Sequence, residues 1–463
     1  MKKKLAITIP HGAALRLLKD VLPIKKIQKK YQIFVICERD LISEKIIKFC
    51  DNNEIILKSV DFKNINDFNF LKRFLRNVRA YLYPRKFFNQ TLFDFWKVFE
   101  YENSKKALTS YKIIFQKILY NLACNFKFIR KFIINLECFL TNTKSEEELL
   151  KILGISQILT TSFSGVDAND TMLLASKRLN IYSYCYIQSW DNVSGNGYHL
   201  CVPNKVLSYS DSMNIQLKKF QEISSQNIFA VGALQYASWI DFEKEKNKKN
   251  NNFKVLYGGK SYKRFPFDYT YVEEIIKAFQ VLKIDINLVV RPHPFALRRK
   301  NDGSFFYPQI SKLVSLVNKY KYITLDIEKV SGEKFIKYEN SNSFNSMRDL
   351  LLNYDLVINI FSTLALEASL LNIPCINMFY QTKDYKYLNH PSRFNMYQDE
   401  RQFHNRQLIN SIPNADSFDS LKKYIKKALY DKSNYSKNRV RDSLDILGNL
   451  KNAEKMFLKS LDI

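Results

Sequence analysis

The chain has 463 residues, 46% of them hydrophobic and 14% aromatic, enough to bury two globular cores. Lys and Arg total 72 against 45 Asp and Glu, and the net charge of +27 calls for an anionic partner: nucleic acid, an acidic membrane surface or a phosphorylated substrate. Seven scattered cysteines without a CxxC pair, and five histidines without metal-ligand spacing, argue against a disulfide framework or a structural zinc and read as reduced thiols of a cytosolic protein.

The opening MKKKLAITIP stops its apolar run at Pro10 and His11, so it reads as a first strand and not as a signal peptide. No run approaches the roughly 18 uncharged residues of a membrane span, so the chain reads as cytoplasmic, either soluble or peripheral at the inner face of the membrane. Strand-like runs then recur: LAITIP (5–10), IFVICE (33–38), EIILKSV (54–60), SQILTTS (156–162), IYSYCYI (181–187), KVLSYS (205–210) and NIFAVGA (227–233). Several are apolar throughout, as strands covered on both faces should be, and they alternate with helical patterns; this is the pattern of a parallel α/β sheet.

Residues 64–140 break that rhythm with a helical, aromatic and basic insertion. Between Leu71 and Thr91 lie Lys72, Arg73, Arg76, Arg79, Arg85 and Lys86 with no acid, and between Lys112 and Leu136 lie Lys117, Lys127, Arg130 and Lys131 among Phe115, Tyr120, Phe126, Phe128 and Phe132. Such helices suit an anionic leaflet; the other reading is a solvated basic face over an aromatic core.

DFEKEKNKKNNN (241–252) reads as a linker closing a first domain, 1–240. Alternation restarts with KVLYGG (254–259), a helix near 270–282, INLVVRPHP (286–294), a helix near 309–320, YITLD (322–326), a helix near 346–354, DLVINI (355–360), a helix near 362–372 and PCINMFY (374–380). That predicts a second doubly wound domain, 253–430, with helical patterns near 418–429 and 435–461 and a closing helical segment 431–463. The fold class expected is α/β: two Rossmann-like domains facing a central cleft into which the carboxyl ends of both sheets point.

The strongest local signal is Ser362 to Ile376, which follows DLVINI. Ser362 stands where a helix N-cap is expected, so amides there would bind phosphate; Glu367, one turn deeper than Thr363, could accept two hydrogen bonds from a ribose diol. Simple capping and a neighbouring ion pair are the other reading. RPHP ends a strand of the same domain: Arg291 offers a planar fork for phosphate and His293 a donor, or the pair is structural. Gly258 and Gly259 would let a ligand approach the backbone, although no phosphate-loop pattern is present. In the first domain His11 is a candidate general base or a turn residue, with Gly12 leaving room for substrate. In QSWDNVSGNG (188–197), Asp191 is a candidate base, Asn192 a hydrogen-bonding partner for the substrate and Trp190 a wall for a sugar ring; the alternative is an Asx turn with Trp190 packed under it.

RPHP, Ser-Thr-x-x-x-Glu-Ala with Asn-x-Pro after it, and the segments KVLSYSDSMNIQL and IFAVGALQY resemble glycosyltransferases of the GT-B fold, notably bacterial enzymes building capsule, surface polysaccharide and lipopolysaccharide. IFST replaces the glycine-rich stretch usual ahead of the donor glutamate. The resemblance implies a nucleotide-sugar donor on the second domain, with Ser362 and Thr363 at the phosphates, Glu367 at the ribose, and Arg291 and His293 at the diphosphate or sugar. It implies no cofactor and no bound metal, in keeping with the lack of a DxD motif after a strand. The acceptor, a glycan or lipid-linked glycan, would meet Asp191 or His11 as base if the enzyme inverts. A nucleotide-sugar 2-epimerase and a CDP-polyol phosphotransferase are alternatives on the same fold. A basic nucleic-acid- or membrane-binding protein without catalysis is the alternative of another class; no nucleic-acid motif is present, so nucleic acid is not expected as a partner.

Overall fold

The computed structural model describes residues 2–62, 70–104, 110–163, 168–240, 252–259, 268–297, 300, 302–326, 344–360, 362–378, 380, 382, 411–431 and 438–463. The chain divides into two compact units, Met1–Ala237 with Asp445–Ile463, and Ser238–Leu444. The expected linker, 241–252, lies outside the described residues but for Asn252.

Unit 1 is built on a seven-stranded sheet in the order β3-β2-β1-β4-β5-β6-β7. The strands are β1 (Lys3–Ile9), β2 (Tyr31–Glu38), β3 (Ile56–Val60), β4 (Gln157–Thr160), β5 (Tyr182–Tyr186), β6 (Lys205–Ser208) and β7 (Ile228–Ala230), and every pairing is parallel. Leu5–Ile9 and Ile33–Glu38 are buried without interruption, which is why these runs are apolar instead of alternating. Helix Lys144–Leu153 and helix Asp170–Arg178 cover one face through Leu150, Met172 and Ala175, which pack on Ala6, Phe34, Ile36 and Ile158. Each such fully buried aliphatic or aromatic side chain contributes about 1.5–3 kcal/mol.

Between β3 and helix Lys144–Leu153 the chain forms the helices Phe70–Arg79, Gln90–Ser104, Ser110–Asn125 and Lys127–Leu140. They enclose a core of their own, with Phe74, Val78, Trp96, Tyr120 and Ile133, in which the Trp96 and Tyr120 rings stack at 4.2 Å. The aromatic residues of this region divide: Phe74, Tyr83 and Tyr120 are buried, while Phe115, Phe126, Phe128 and Phe132 are exposed. The basic residues divide too. Arg79 is fully buried, its Nε and Nη2 donating to Glu137 at 2.7 and 3.0 Å and Nη2 to Asp170 at 2.8 Å. Burial alone would lower the Arg79 pKa, but the two carboxylates more than offset this and hold it above its usual range.

Unit 2 has a six-stranded parallel sheet in the order β10-β9-β8-β11-β12-β13. Its strands are β8 (Phe253–Gly258), β9 (Ile286–Arg291), β10 (Ile323–Leu325), β11 (Leu356–Asn359), β12 (Cys375–Met378) and β13 (Asn414–Ala415). Helices Asp268–Leu282, Gln309–Val317 and Phe418–Tyr430 supply Val272, Ile275, Leu313 and Ile425 to a core with Val255, Leu288 and Ile358. Strand order reverses between β8 and β11, the switch point at which open α/β sheets take ligands.

The closing segment does not stand apart as 431–463. It forms two helices, Arg439–Leu447 and Ala453–Ser460, and from Asp445 on it belongs to unit 1. Tyr31 Oη donates to Leu461 O at 2.9 Å, Ala233 N to Leu447 O at 2.8 Å, and Phe457 meets Tyr186 edge-on. The expected continuous helix breaks at Gly448, whose φ of +79° and whose missing Cβ, 1.9 Å from Tyr209 O if present, both require glycine. Among the described residues no helix is long and apolar enough to cross a membrane.

Candidate functional site

In unit 2 the parallel register aligns Arg291 with Gly258 and Gly258 with Asn359, so the ends of β9, β8 and β11 lie side by side at the switch point. Ser362, Thr363 and Glu367 follow from the end of β11. Ser362 is the N-cap of helix Thr363–Leu370 in extended conformation, and its own side chain makes no capping hydrogen bond. Instead the buried Asn359 turns the chain: its Oδ1 accepts from Ser362 N at 3.1 Å and Ser362 Oγ at 3.5 Å, while its Nδ2 donates to Cys375 Sγ at 3.1 Å. The leading amides of a helix have no partner within it and carry partial positive charge, which suits this helix start to an anion. Thr363 and Glu367, four apart, share a face and are half-buried.

Gly258, the last residue of β8, and Gly259 after it are both closely packed. A Cβ on Gly258 would lie 2.3 Å from Leu364 Cδ2, and one on Gly259 would lie 2.4 Å from Asp268 Oδ2. Glycine thus lets the helix start and the buried Asp268 carboxylate, which accepts from Tyr257 Oη at 2.8 Å, close on the strand end. Arg291 is paired: its Nη1 meets Asp326 Oδ2 at 2.7 Å. The pairing braces the guanidinium at the carboxyl edge of β9, and an incoming phosphate would share it with Asp326. His293 is half-buried and opens the short turn Pro294–Leu297, its carbonyl accepting from Ala296 N at 2.7 Å.

In unit 1, His11 is the N-cap of helix Gly12–Asp20, and its Nδ1 accepts from Ala14 N at 3.2 Å. A neutral ring so placed carries its proton on Nε2, so it can donate but not take a proton while the cap holds. Acting as the base read for it from sequence would require His11 to release that cap first. Gly12, buried, is the first residue of that helix.

Asp191 lies in the loop after β5, and β4 lies between β5 and β1, the strand leading to His11, so these two strands run about 10 Å apart, two strand spacings. Ser189 Oγ donates to Asp191 Oδ1 at 2.5 Å, and the Asp191 carbonyl accepts from Gly195 N at 2.7 Å. Asn192, whose amide donates to Ser189 O at 3.2 Å, begins the single helical turn Asn192–Gly195. Asp191 is thus held in a turn, with Ser189 on its carboxylate. Trp190, Asp191 and Asn192 are all half-buried.

Three residues missed from sequence anchor this segment. Arg79 Nη1 donates to Tyr198 O at 3.0 Å, Asn89 Nδ2 to Ser194 O at 3.0 Å, and Gln221 Nε2 to Gly197 O at 3.1 Å. Gly197 lies so close to helix Phe70–Arg79 that a Cβ would sit 2.0 Å from Ala80 O. The neighbouring His199 is buried, its Nδ1 3.3 Å from Gln221 Oε1, and burial drives its pKa down from 6.5 to about 4. Beneath the turn, Tyr209 Oη donates to Gln188 O at 2.6 Å, and Tyr186 Oη donates to Gln235 Oε1 at 2.7 Å. Burial, and after the opposing hydrogen bonds from Gln235 and Tyr186 the nearby Asp191 charge, raise the Tyr209 pKa.

Among the described residues no group of three or more His, Cys, Asp or Glu side chains is placed to hold a metal ion. The groups suited to an anionic ligand are the start of helix Thr363–Leu370 and Arg291.

No family model and no curated protein matches the chain. Solved structures do. A protein of Listeria monocytogenes assigned to the UDP-N-acetylglucosamine 2-epimerases is 10% identical over 100% of this chain and 96% of that one, with a TM-score of 0.53. A UDP-GlcNAc 2-epimerase from Neisseria meningitidis, solved bound to UDP-GlcNAc, is 10% identical over 99% of both chains, with a TM-score of 0.52. Another UDP-N-acetylglucosamine 2-epimerase is 10% identical over 100% of this chain and 96% of its own, with a TM-score of 0.50. The likeness is one of fold: the chain has the two-unit parallel α/β architecture of GT-B-type nucleotide-sugar enzymes. The expected resemblance to glycosyltransferases holds at the level of that shared fold.

Proposed function

We propose that the protein is a nucleotide-sugar enzyme whose second unit holds the nucleoside diphosphate. The observation that carries this is the start of helix Thr363–Leu370 at the switch point of a parallel sheet, its N-cap side chain making no capping hydrogen bond, with Glu367 one turn in. In this reading the Thr363 end of the helix and Arg291 take the diphosphate oxygens, and Glu367 accepts from the ribose hydroxyls. Of the reactions this fold supports, epimerisation at C2 of a UDP-N-acetylhexosamine has the better support, because the solved structures reported above are such epimerases over almost their whole length. Asp191 is then the candidate base of unit 1 and His11 a donor. Glycosyl transfer is the second reading, favoured by the motifs around RPHP and Ser362 and by the basic helices, which would suit a lipid-linked acceptor.

Two measurements test this. Glu367→Ala should weaken UDP binding in a calorimetric titration about ten- to a hundredfold, the loss of hydrogen bonds to a charged group, without a change in melting; an unchanged Kd refutes the site. Inverting C2 requires its proton to leave and return, so UDP-GlcNAc turned over in D2O should gain deuterium at C2 and yield its C2 epimer. UDP release or sugar transfer with C2–H intact would reject epimerisation in favour of transfer.

A further inference from the structure

Helix Ser110–Asn125 is apolar on two sides. Tyr120, Ala123 and Cys124 face the core of the helical region, and Ile113 is buried. On the opposite side Tyr111, Ile114, Phe115, Ile118 and Leu122 recur at helical spacing and are exposed, Tyr111 by 91%. Helix Lys127–Leu140 repeats the arrangement: Ile133 faces inward, while Phe128, Phe132 and Phe139 form an outer stripe, 70%, 63% and 81% exposed. A surface helix ordinarily turns polar residues outward, so two apolar outer stripes on successive helices need an occupant.

Their charge identifies it. Lys117, Lys127 and Lys131 are exposed along the flanks of the stripes, and no acid occurs between Ser110 and Leu136. Glu137, the next acid, is turned inward onto Arg79. Lys117 meets Glu100 at 2.6 Å and Lys127 lies 4.0 Å from Glu222; both ammonium groups are on exposed side chains, so an anionic headgroup could reach them. Protein interfaces are depleted of lysine at their centres, and a second copy would bring the same lysines against each other in a chain of net charge +27. Aromatic stripes bordered by lysines match the boundary between lipid headgroups and acyl chains.

We propose that the outer faces of helices Ser110–Asn125 and Lys127–Leu140 dock on an anionic lipid bilayer, the phenylalanines entering the headgroup boundary and the lysines meeting lipid phosphates. The inference does not rest on the nucleotide site, and the two can fail separately. The test is flotation of the full chain with phosphatidylcholine vesicles, either pure or containing one third phosphatidylglycerol. Binding to the anionic vesicles only, weakening with salt, is expected. Phe128→Ser/Phe132→Ser/Phe139→Ser should abolish it, and Lys117→Gln/Lys127→Gln/Lys131→Gln should lower the partition coefficient about fivefold per lysine. All six positions are exposed, and unchanged circular dichroism and melting verify the fold of both variants. Absence of vesicle binding, or binding indifferent to both variants, overturns the proposal. So does a dimer in light scattering that the phenylalanine variant dissociates, which would make the face a contact between copies.

Discussion

Arg79→Met should be the most damaging single change in the helical region. Its guanidinium is fully buried and holds two carboxylates and the Tyr198 carbonyl. Removing it strands Glu137, itself buried, and Asp170 without their counter-charge. Breaking a buried pair from one side costs about 3–5 kcal/mol, because the remaining charge keeps its desolvation penalty and loses its compensation. Set against a total of roughly 5–15 kcal/mol, that should lower the midpoint of the unit 1 transition by about 10 °C in calorimetry and leave the unit 2 transition in place. The triple change Arg79→Met/Glu137→Met/Asp170→Leu removes all three charges together and should recover most of the loss, since apolar replacement of a whole buried ion cluster is commonly neutral. The reasoning is refuted if Arg79→Met stays within about 1 kcal/mol of the parent, or if the triple variant is no more stable than the single.

Gly197→Ala should destabilise unit 1 by a few kcal/mol, about 2–4, by forcing a methyl against Ala80 O, and should expose the 188–197 segment to protease; resistance equal to the parent would contradict the close approach. His199 titrates at about 4 when folded against 6.5 unfolded, so its neutral form is favoured by folding. That stability is fully present above pH 6.5 and is lost as pH falls towards 4, up to about 3 kcal/mol. His199→Gln should flatten the denaturation midpoint over this window, and a slope equal to that of the parent would argue that the imidazole is not buried.

The strands were legible because parallel sheets bury both faces and leave uninterrupted apolar runs; β1 to β12 each fall within or beside a run read from sequence. β13 was not, since two residues paired to β12 carry no periodicity. Ser362 stands at its expected helix start, but the residue that shapes the turn is Asn359, the polar end of an apolar strand. Arg291 was read as free for phosphate because its partner, Asp326, lies at the end of β10, beside β9 only once the strand order is known. Gly258 and Gly259 were read as openings for a ligand, and they admit a leucine and a carboxylate of the protein itself. Arg79 looked like one cation among six; its partners Glu137 and Asp170 are brought to it only by tertiary packing.

The return of residues 445–463 to unit 1 bears on the order in which the protein can be made. Unit 2 is continuous in the chain, so its sheet can be completed as soon as residue 444 has left the ribosome. Unit 1 cannot: the stretch that covers Tyr31 and Tyr186 is translated after all of unit 2. During synthesis the sheet of unit 1 therefore waits, with that surface bare, for residues 445–463. Nascent chains stalled ahead of Asp445 should be substrates for chaperones at unit 1 while unit 2 is already protease-resistant.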